Sequence, residues 1–186
     1  NADSKNLFYL RQITDVLSMH QQITPHKEIV LIGGGYIGLE VASAMIELGL
    51  KVTILEAEER ILQRVTSPEV SQFYNDFHSK KGVRIICNAK ITNLNAENQM
   101  IHSVSLESGE SLAADIVLVG IGAIPNTQLA VSIGLECENG IKTDQYCRTS
   151  IPNILAVGDC TSSFNSLYNK EFRLESVPNA LAQSKV

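Results

Sequence analysis

The 186-residue sequence has no apolar run approaching the roughly 18 residues that a membrane span needs, and its opening does not read as a charged-then-apolar leader. It has no excess of basic residues either. Fifteen Lys and Arg against twenty Asp and Glu leave a net charge of −5, which argues against nucleic acid and against an anionic membrane surface as partners. Cysteine is sparse: Cys87, Cys137, Cys147 and Cys160 include no C-x-x-C pair, and no Cys/His set has zinc-finger spacing. His20, His26, His78 and His102 are scattered, so no metal site is expected. Free thiols of this kind fit a reducing cytoplasm. Proline is rare and low-complexity stretches are missing, while 44% of the residues are apolar, so the chain reads as packed and globular. Its length suffices for one domain, or for one domain and part of another.

Asn1 and Ala2 are set aside as residues a cloning vector could have contributed. Residues 4 to 24 form a lead-in, with an apolar LFYL patch and a helix-like stretch from Asp15 to Gln22, ended by Pro25. EIVLI (28–32) is continuously apolar, as a strand buried on both faces should be. A helix is predicted from Tyr36 to Leu48 with Gly49 as its C-terminal cap, followed by a second strand, KVTIL (51–55). This is a βαβ unit. Ser67-Pro68-Glu69 supplies an N-cap, a first-turn proline and an acid for another helix. Its Val70, Phe73, Tyr74 and Phe77, at helical spacing, are expected in the core, and Gly82 closes it. VRIIC (83–87) predicts a third strand with Cys87 buried in it. Two alternating segments, 91 to 94 and 101 to 106, look antiparallel, and DIVLVG (115–120) returns to a buried strand. Beyond Pro125-Asn126 come a short helix (128–133), GIKTD, and NILAVGD (153–159), read as a strand ending at Asp159. TSSFNSLYNKEF is polar and is expected to be a mobile loop. A final helical stretch from Asn179 reaches Val186 with no cap in sight, so the domain is expected to be truncated. The fold class is α/β: a Rossmann-like parallel sheet with an antiparallel β-meander crossover.

The glycine cluster in LIGGGYIGLE explains the βαβ unit's purpose. Gly33-x-Gly35-x-x-Gly38 follows a strand and opens a helix at Tyr36 and Ile37. The first glycine permits a tight turn, the second admits a pyrophosphate close to backbone, and the third lets helix and strand approach. Phosphate charge then meets unpaired N–H groups at the positive helix end. Glu56 closes the second strand, where a carboxylate accepts from an adenosine ribose and repels a 2′-phosphate. Glu58 and Glu59 deepen that field and Arg60 and Arg64 partly offset it, so NAD is expected over NADP. Glu40, Ser43 and Glu47 form one polar stripe on the helix.

IVLIGGGYIGLEVASAMIELGLKVTILE resembles the NAD-binding domain of the two-dinucleotide flavoprotein reductases, whose further signatures GIGAIPN (120–126) and RTSIPNILAVGDC (148–160) resemble. RLESVPNALAQ (173–183) is closer to the branch of FAD-dependent ferredoxin, putidaredoxin and rubredoxin reductases. The resemblance implies the FAD/NAD(P)-binding fold, with the NAD domain inserted in a discontinuous FAD domain. It divides the chain into a lead-in from the first FAD half (1–24), the NAD-binding domain (25–145) and a truncated second FAD half (146–186). It puts Glu40 near the nicotinamide, Gly122 in the nucleotide site and Asp159 on the flavin's ribityl or phosphate region. Val177 stands where some relatives carry Trp, and this chain has none.

The implied reaction is hydride transfer from NADH to FAD, then electrons onward singly to an iron–sulfur or rubredoxin-type acceptor, the FAD belonging to the full-length parent only. The two cofactors carry that chemistry, so no catalytic acid, base or nucleophile is expected. The cofactor-binding set is Gly33, Gly35, Tyr36, Ile37, Gly38, Glu40, Glu56, Arg64, Gly122 and Asp159. Two alternatives stay open. One is a fragment of a flavoprotein disulfide reductase, NADH oxidase or nitrite-reductase-like dehydrogenase, and the other a non-catalytic NAD-binding module.

Overall fold

The computed structural model describes residues 3 to 186, so Asn1 and Ala2 lie outside the described residues. Two compact units follow each other along the chain, one ending at Gly122 and one running from Ala123 to Val186.

The first unit contains β1 (Leu7–Phe8), α1 (Ile13–His20), β2 (Glu28–Ile32), α2 (Tyr36–Glu47), β3 (Lys51–Leu55), α3 (Pro68–Lys80), β4 (Arg84–Ile86), β5 (Ile91–Glu97), β6 (Met100–Leu106), β7 (Ser111–Ala113) and β8 (Ile116–Val119). Its main sheet runs β1-β8-β2-β3-β4, every neighbour parallel, and the antiparallel meander β5-β6-β7 is the crossover between β4 and β8. The expected meander is therefore present. Strand periodicity sorts the core into two layers. Ile29, Leu31, Val52, Ile54, Ile116 and Leu118 pack with Leu39, Ala42 and Met45 of α2 and Met19 of α1. The intervening Val30, Leu55 and Val117 pack with Ile101, Val104 and Leu112 of the meander. That is why the strands read as continuous apolar runs: both faces are covered.

The lead-in takes part in this sheet. Leu7 and Phe8 pair in parallel with Val117 and Leu118, and Asn6 is fully buried beside them. Asn6 Nδ2 donates to the carbonyls of Ile101 (2.7 Å) and Asp115 (2.9 Å), and its Oδ1 accepts from the Ile101 N–H (2.8 Å). One side chain thus ties the N-terminal segment to both the meander and the last strand.

Two expectations fail in this unit. The aromatic face of α3 is not core, since Phe73 is 63% exposed, Phe77 45% and Tyr74 39%, with Val70 alongside. The helix turns Ser71 and His78 inward instead. Ser71 Oγ donates to the Ile61 carbonyl at 2.6 Å and accepts from Arg60 Nη1 at 2.6 Å, and that polar anchor fixes the helix rotation. Phe73 stacks on Phe77 and meets Tyr74 edge-on, so the rings cover one another. Cys87 lies one residue past β4 in a bend and is half-buried, because the chain leaves the sheet at Ile86.

The second unit contains α4 (Gln128–Ser132), β9 (Ile141–Thr143), β10 (Thr161–Asn165), β11 (Lys170–Phe172) and α5 (Val177–Gln183). Its sheet runs β11-β10-β9, with β9 and β10 parallel and β10 and β11 antiparallel. Through that pairing residues 123 to 145 fold with the segment after them. The stretch expected as a mobile loop is a hairpin. Asn165 Oδ1 accepts the Leu167 and Tyr168 N–H groups to form the turn, and Tyr168 meets Phe172 edge-on at 5.8 Å. NILAVGD, expected as a strand, makes only a single bridge, Leu155 to Arg148, before a turn with Gly158 at φ +84°. The last helix does stop: Ser176 caps its start through the Asn179 N–H, and at its end the Ser184 N–H bonds Ala180.

Candidate nucleotide site and flavin-side turn

At the carboxyl ends of β2, β3 and β8 three loops converge, the location where open parallel sheets hold their ligands. The Gly33 N–H bonds the Leu55 carbonyl and the Gly120 N–H bonds the Ile32 carbonyl, both at 2.8 Å. Each glycine of the fingerprint then has a distinct reason. A Cβ on Gly33 (φ +112°) would lie 2.4 Å from the Gly120 oxygen, and one on Gly38 would lie 2.1 Å from the Gly33 oxygen. Those two are demanded by the protein itself. A Cβ on Gly35 would meet nothing within 4 Å, so its smallness serves no contact inside the chain. That open space sits at the N-terminus of α2, which begins without a side-chain cap. Its first N–H groups have no partner inside the helix. A pyrophosphate fits both observations, and the residues present therefore suit a dinucleotide.

Glu56 sits at the end of β3 with its carboxylate already engaged. Oε2 accepts the Gly34 N–H at 2.7 Å and Oε1 the Glu58 N–H at 2.9 Å. Each oxygen keeps a lone pair for a ribose hydroxyl. Gly34 was not singled out by the fingerprint, yet a Cβ there would meet Ile61 at 2.7 Å and Glu56 Oε2 at 3.0 Å. The run of three glycines is its only sequence signal. The Leu62 N–H bonds the Gly34 carbonyl at 2.9 Å, so the loop is held from both sides.

The two arginines part company. Arg60 donates to the Thr66 and Gln63 carbonyls and to Ser71, so its guanidinium is held against the protein. Arg64 stays exposed and lies over Gly122 (φ +105°), its Nη2 at 3.3 Å from where a Cβ would be. Tyr36 and Ile37 are exposed at the start of α2, and Glu40, one turn on, is exposed as well. Gly33, Gly35, Gly38, Glu56, Arg64 and Gly122 are thus brought to one end of the sheet, with Tyr36, Ile37 and Glu40 on the helix leaving it.

In the second unit Asp159 is exposed in the turn before β10, and its carboxylate has no partner among the described residues. Gln183 Oε1 accepts the Gly158 N–H at 2.6 Å and the Thr161 hydroxyl at 3.3 Å, a restraint of this turn that sequence pattern did not reveal. A free carboxylate on a held turn suits the hydroxyl groups of a polyhydroxylated cofactor edge. Among the described residues no group of His, Cys, Asp and Glu could hold a metal, and no helix is long and apolar enough to cross a membrane.

Residues 1–184 match the family described as pyridine nucleotide-disulphide oxidoreductase. The chain is 42% identical to putidaredoxin reductase of Pseudomonas putida, over 98% of this chain and 44% of that protein. It is 38% identical to a rubredoxin–NAD(+) reductase of the same species, over 100% of this chain and 48% of that one. Among solved structures it is similar to the reductase in a covalent putidaredoxin reductase–putidaredoxin complex, with a TM-score of 0.94 and 41% identity over 99% of this chain and 45% of the other. The chain spans about half the length of the curated relatives it matches.

Proposed function

Because this chain belongs to the pyridine nucleotide-disulphide oxidoreductase family, we propose that it is the NAD(H)-binding part of an FAD-dependent reductase that passes electrons from NADH to a ferredoxin- or rubredoxin-type acceptor. The observation that carries the reading is the glycine loop. Gly35 leaves space where no protein atom comes within 4 Å, beside an uncapped helix start and a ribose-competent Glu56. The acceptor class follows from the similarity to a putidaredoxin reductase and a rubredoxin–NAD(+) reductase.

When bound, NADH would supply a hydride and FAD would accept it and release electrons one at a time. The chain's residues bind and orient. Gly35 and the first N–H groups of α2 would cradle the pyrophosphate, and Glu56 would accept from the adenosine ribose and disfavour a 2′-phosphate. Arg64 and Gly122 would border the same nucleotide, and Glu40 would stand near the nicotinamide. Asp159 would receive the flavin's ribityl or phosphate region. No side chain is assigned as acid, base or nucleophile.

We assign nucleotide binding to residues 25–145, whose sheet is complete by Gly122, and the flavin half to 146–186, with 1–24 leading in. What supports the flavin half is exposure: Leu167 is 81% exposed, Tyr168 68%, Val177 71% and Leu181 55%, apolar side chains that a complementary half-domain would cover. The cytoplasm belongs to the same proposal, since the four cysteines are unpaired, as thiols in a reducing compartment are.

The test is a pair of measurements on the purified chain. It is expected to bind NADH in preference to NADPH by calorimetry, and to be colourless and without reductase turnover when alone. Preference for NADPH would overturn the nucleotide assignment, and a stoichiometric visible flavin band would overturn the half-domain assignment.

A further inference from the structure

We propose that Arg173 is the positioning residue of the flavin-side turn: its guanidinium fixes the Asp159 backbone so that the free carboxylate is presented in one place. The proposal rests on the flavin role given to Asp159 above. The Arg173 side chain is only 13% exposed, an unusual position for a cation unless its donors are used. They are used on the neighbouring Glu175 and on three segments remote in sequence. Nη1 donates to the Asp159 carbonyl at 3.4 Å and to the Glu175 carboxylate. Nη2 donates to the Ala123 carbonyl at 3.3 Å, and Nε to Asn139 Oδ1 at 3.2 Å.

The carbonyl contacts are long and individually weak; the ion pair with Glu175 is the strong one. What matters is their geometry. A planar fork can reach acceptors on several sides at once, which a lysine ammonium on a flexible stem does less well. Arg173 grips the turn at the Asp159 carbonyl, while Gln183 grips it one residue earlier at the Gly158 N–H, 2.6 Å away. The residue between those two anchors has its backbone held and its carboxylate left without a protein partner. A group held ready in this way binds without the ordering cost a loose turn would carry. The same cation ties in Ala123, so the GIGAIPN and AVGD signatures, far apart in sequence, share one restraint.

The full-length flavoprotein decides it, through FAD affinity measured by flavin fluorescence on titrating the apoprotein. Arg173→Lys is expected to weaken FAD by roughly 10-fold, the loss of about one charge-assisted interaction, with NADH affinity unchanged. Asp159→Asn should weaken FAD as well. In the double variant the two losses should fall short of multiplying, because Arg173 acts through Asp159. Unaltered FAD affinity in Arg173→Lys, with Asp159→Asn impaired, overturns the positioning role and leaves the flavin reading standing. Fully multiplicative losses overturn it too, since they mean independent effects. Unaltered affinity in Asp159→Asn refutes the flavin reading, and the positioning role falls with it. If Arg173→Lys folds poorly, Gln183→Leu tests the other anchor, and FAD affinity unchanged there also overturns the held-turn mechanism.

Discussion

The Glu56 carboxylate holds the Gly34 N–H at 2.7 Å, so the acid that would select the nucleotide is also a strut of the loop that would bind it. Replacing Glu56 by Ala removes both roles. NADH affinity is expected to fall roughly 10- to 100-fold, the equivalent of about 1.5–3 kcal/mol for a lost charged hydrogen bond. Stability should drop too, by on the order of 1–2 kcal/mol, because the Gly34 N–H loses its acceptor in a buried residue. Calorimetry and urea denaturation read the two effects separately, and an unchanged NADH affinity would refute the ribose assignment.

The fingerprint glycines should divide by experiment as they do by geometry. Gly33→Ala and Gly38→Ala drive a Cβ to 2.4 and 2.1 Å from backbone oxygens, so each is expected to cost about 2–4 kcal/mol of stability. Gly35→Ala meets open space and should shift stability by less than about 1 kcal/mol while weakening NADH at least roughly 10-fold. Equal destabilisation by all three would contradict this division.

Asn6 is predicted to matter out of proportion to its place near the start of the chain. Its three hydrogen bonds, two of them buried, leave two carbonyls and one N–H without this partner in Asn6→Ala. The expected loss is about 2–4 kcal/mol in chemical denaturation. A loss under about 0.5 kcal/mol would mean that water replaces the amide.

His78 gives the first unit a pH dependence of known sign. Its ring is buried against Tyr74 and Phe77, and burial pushes its pKa below the ordinary 6.5. Below pH 6.5 the unfolded chain takes up a proton that the folded one resists, so stability is full above that pH and declines as pH falls. Between pH 7 and 5, His78→Leu should lose less stability than the parent. Identical pH slopes would show that the ring is not the source.

Much of this could be read from residue pattern. EIVLI and KVTIL announce strands covered on both faces, and the spacing of Gly33, Gly35, Gly38 and Glu56 marks out the candidate site. The misses share a cause: they depend on single polar side chains acting over distance. The rotation of α3 is set by Arg60 and Ser71, against the helix's own aromatic periodicity. The hairpin at 161–172 turns on Asn165, within a run too polar to read as strands. Asn6, Arg173 and Gln183 each bridge segments remote in sequence, and no local pattern records such a bridge.

The pairing of Leu7 with Val117 also bears on the order in which the molecule assembles. A strand early in this sequence waits for a partner late in the unit, and Asn6 waits with it for Ile101 and Asp115. Closing so long a loop is entropically slow compared with forming the local β2–α2–β3 unit. The glycine turn after β2 is therefore expected to organise while β1 is still undocked, which leaves the protection of β1 against hydrogen exchange as the last to appear during refolding.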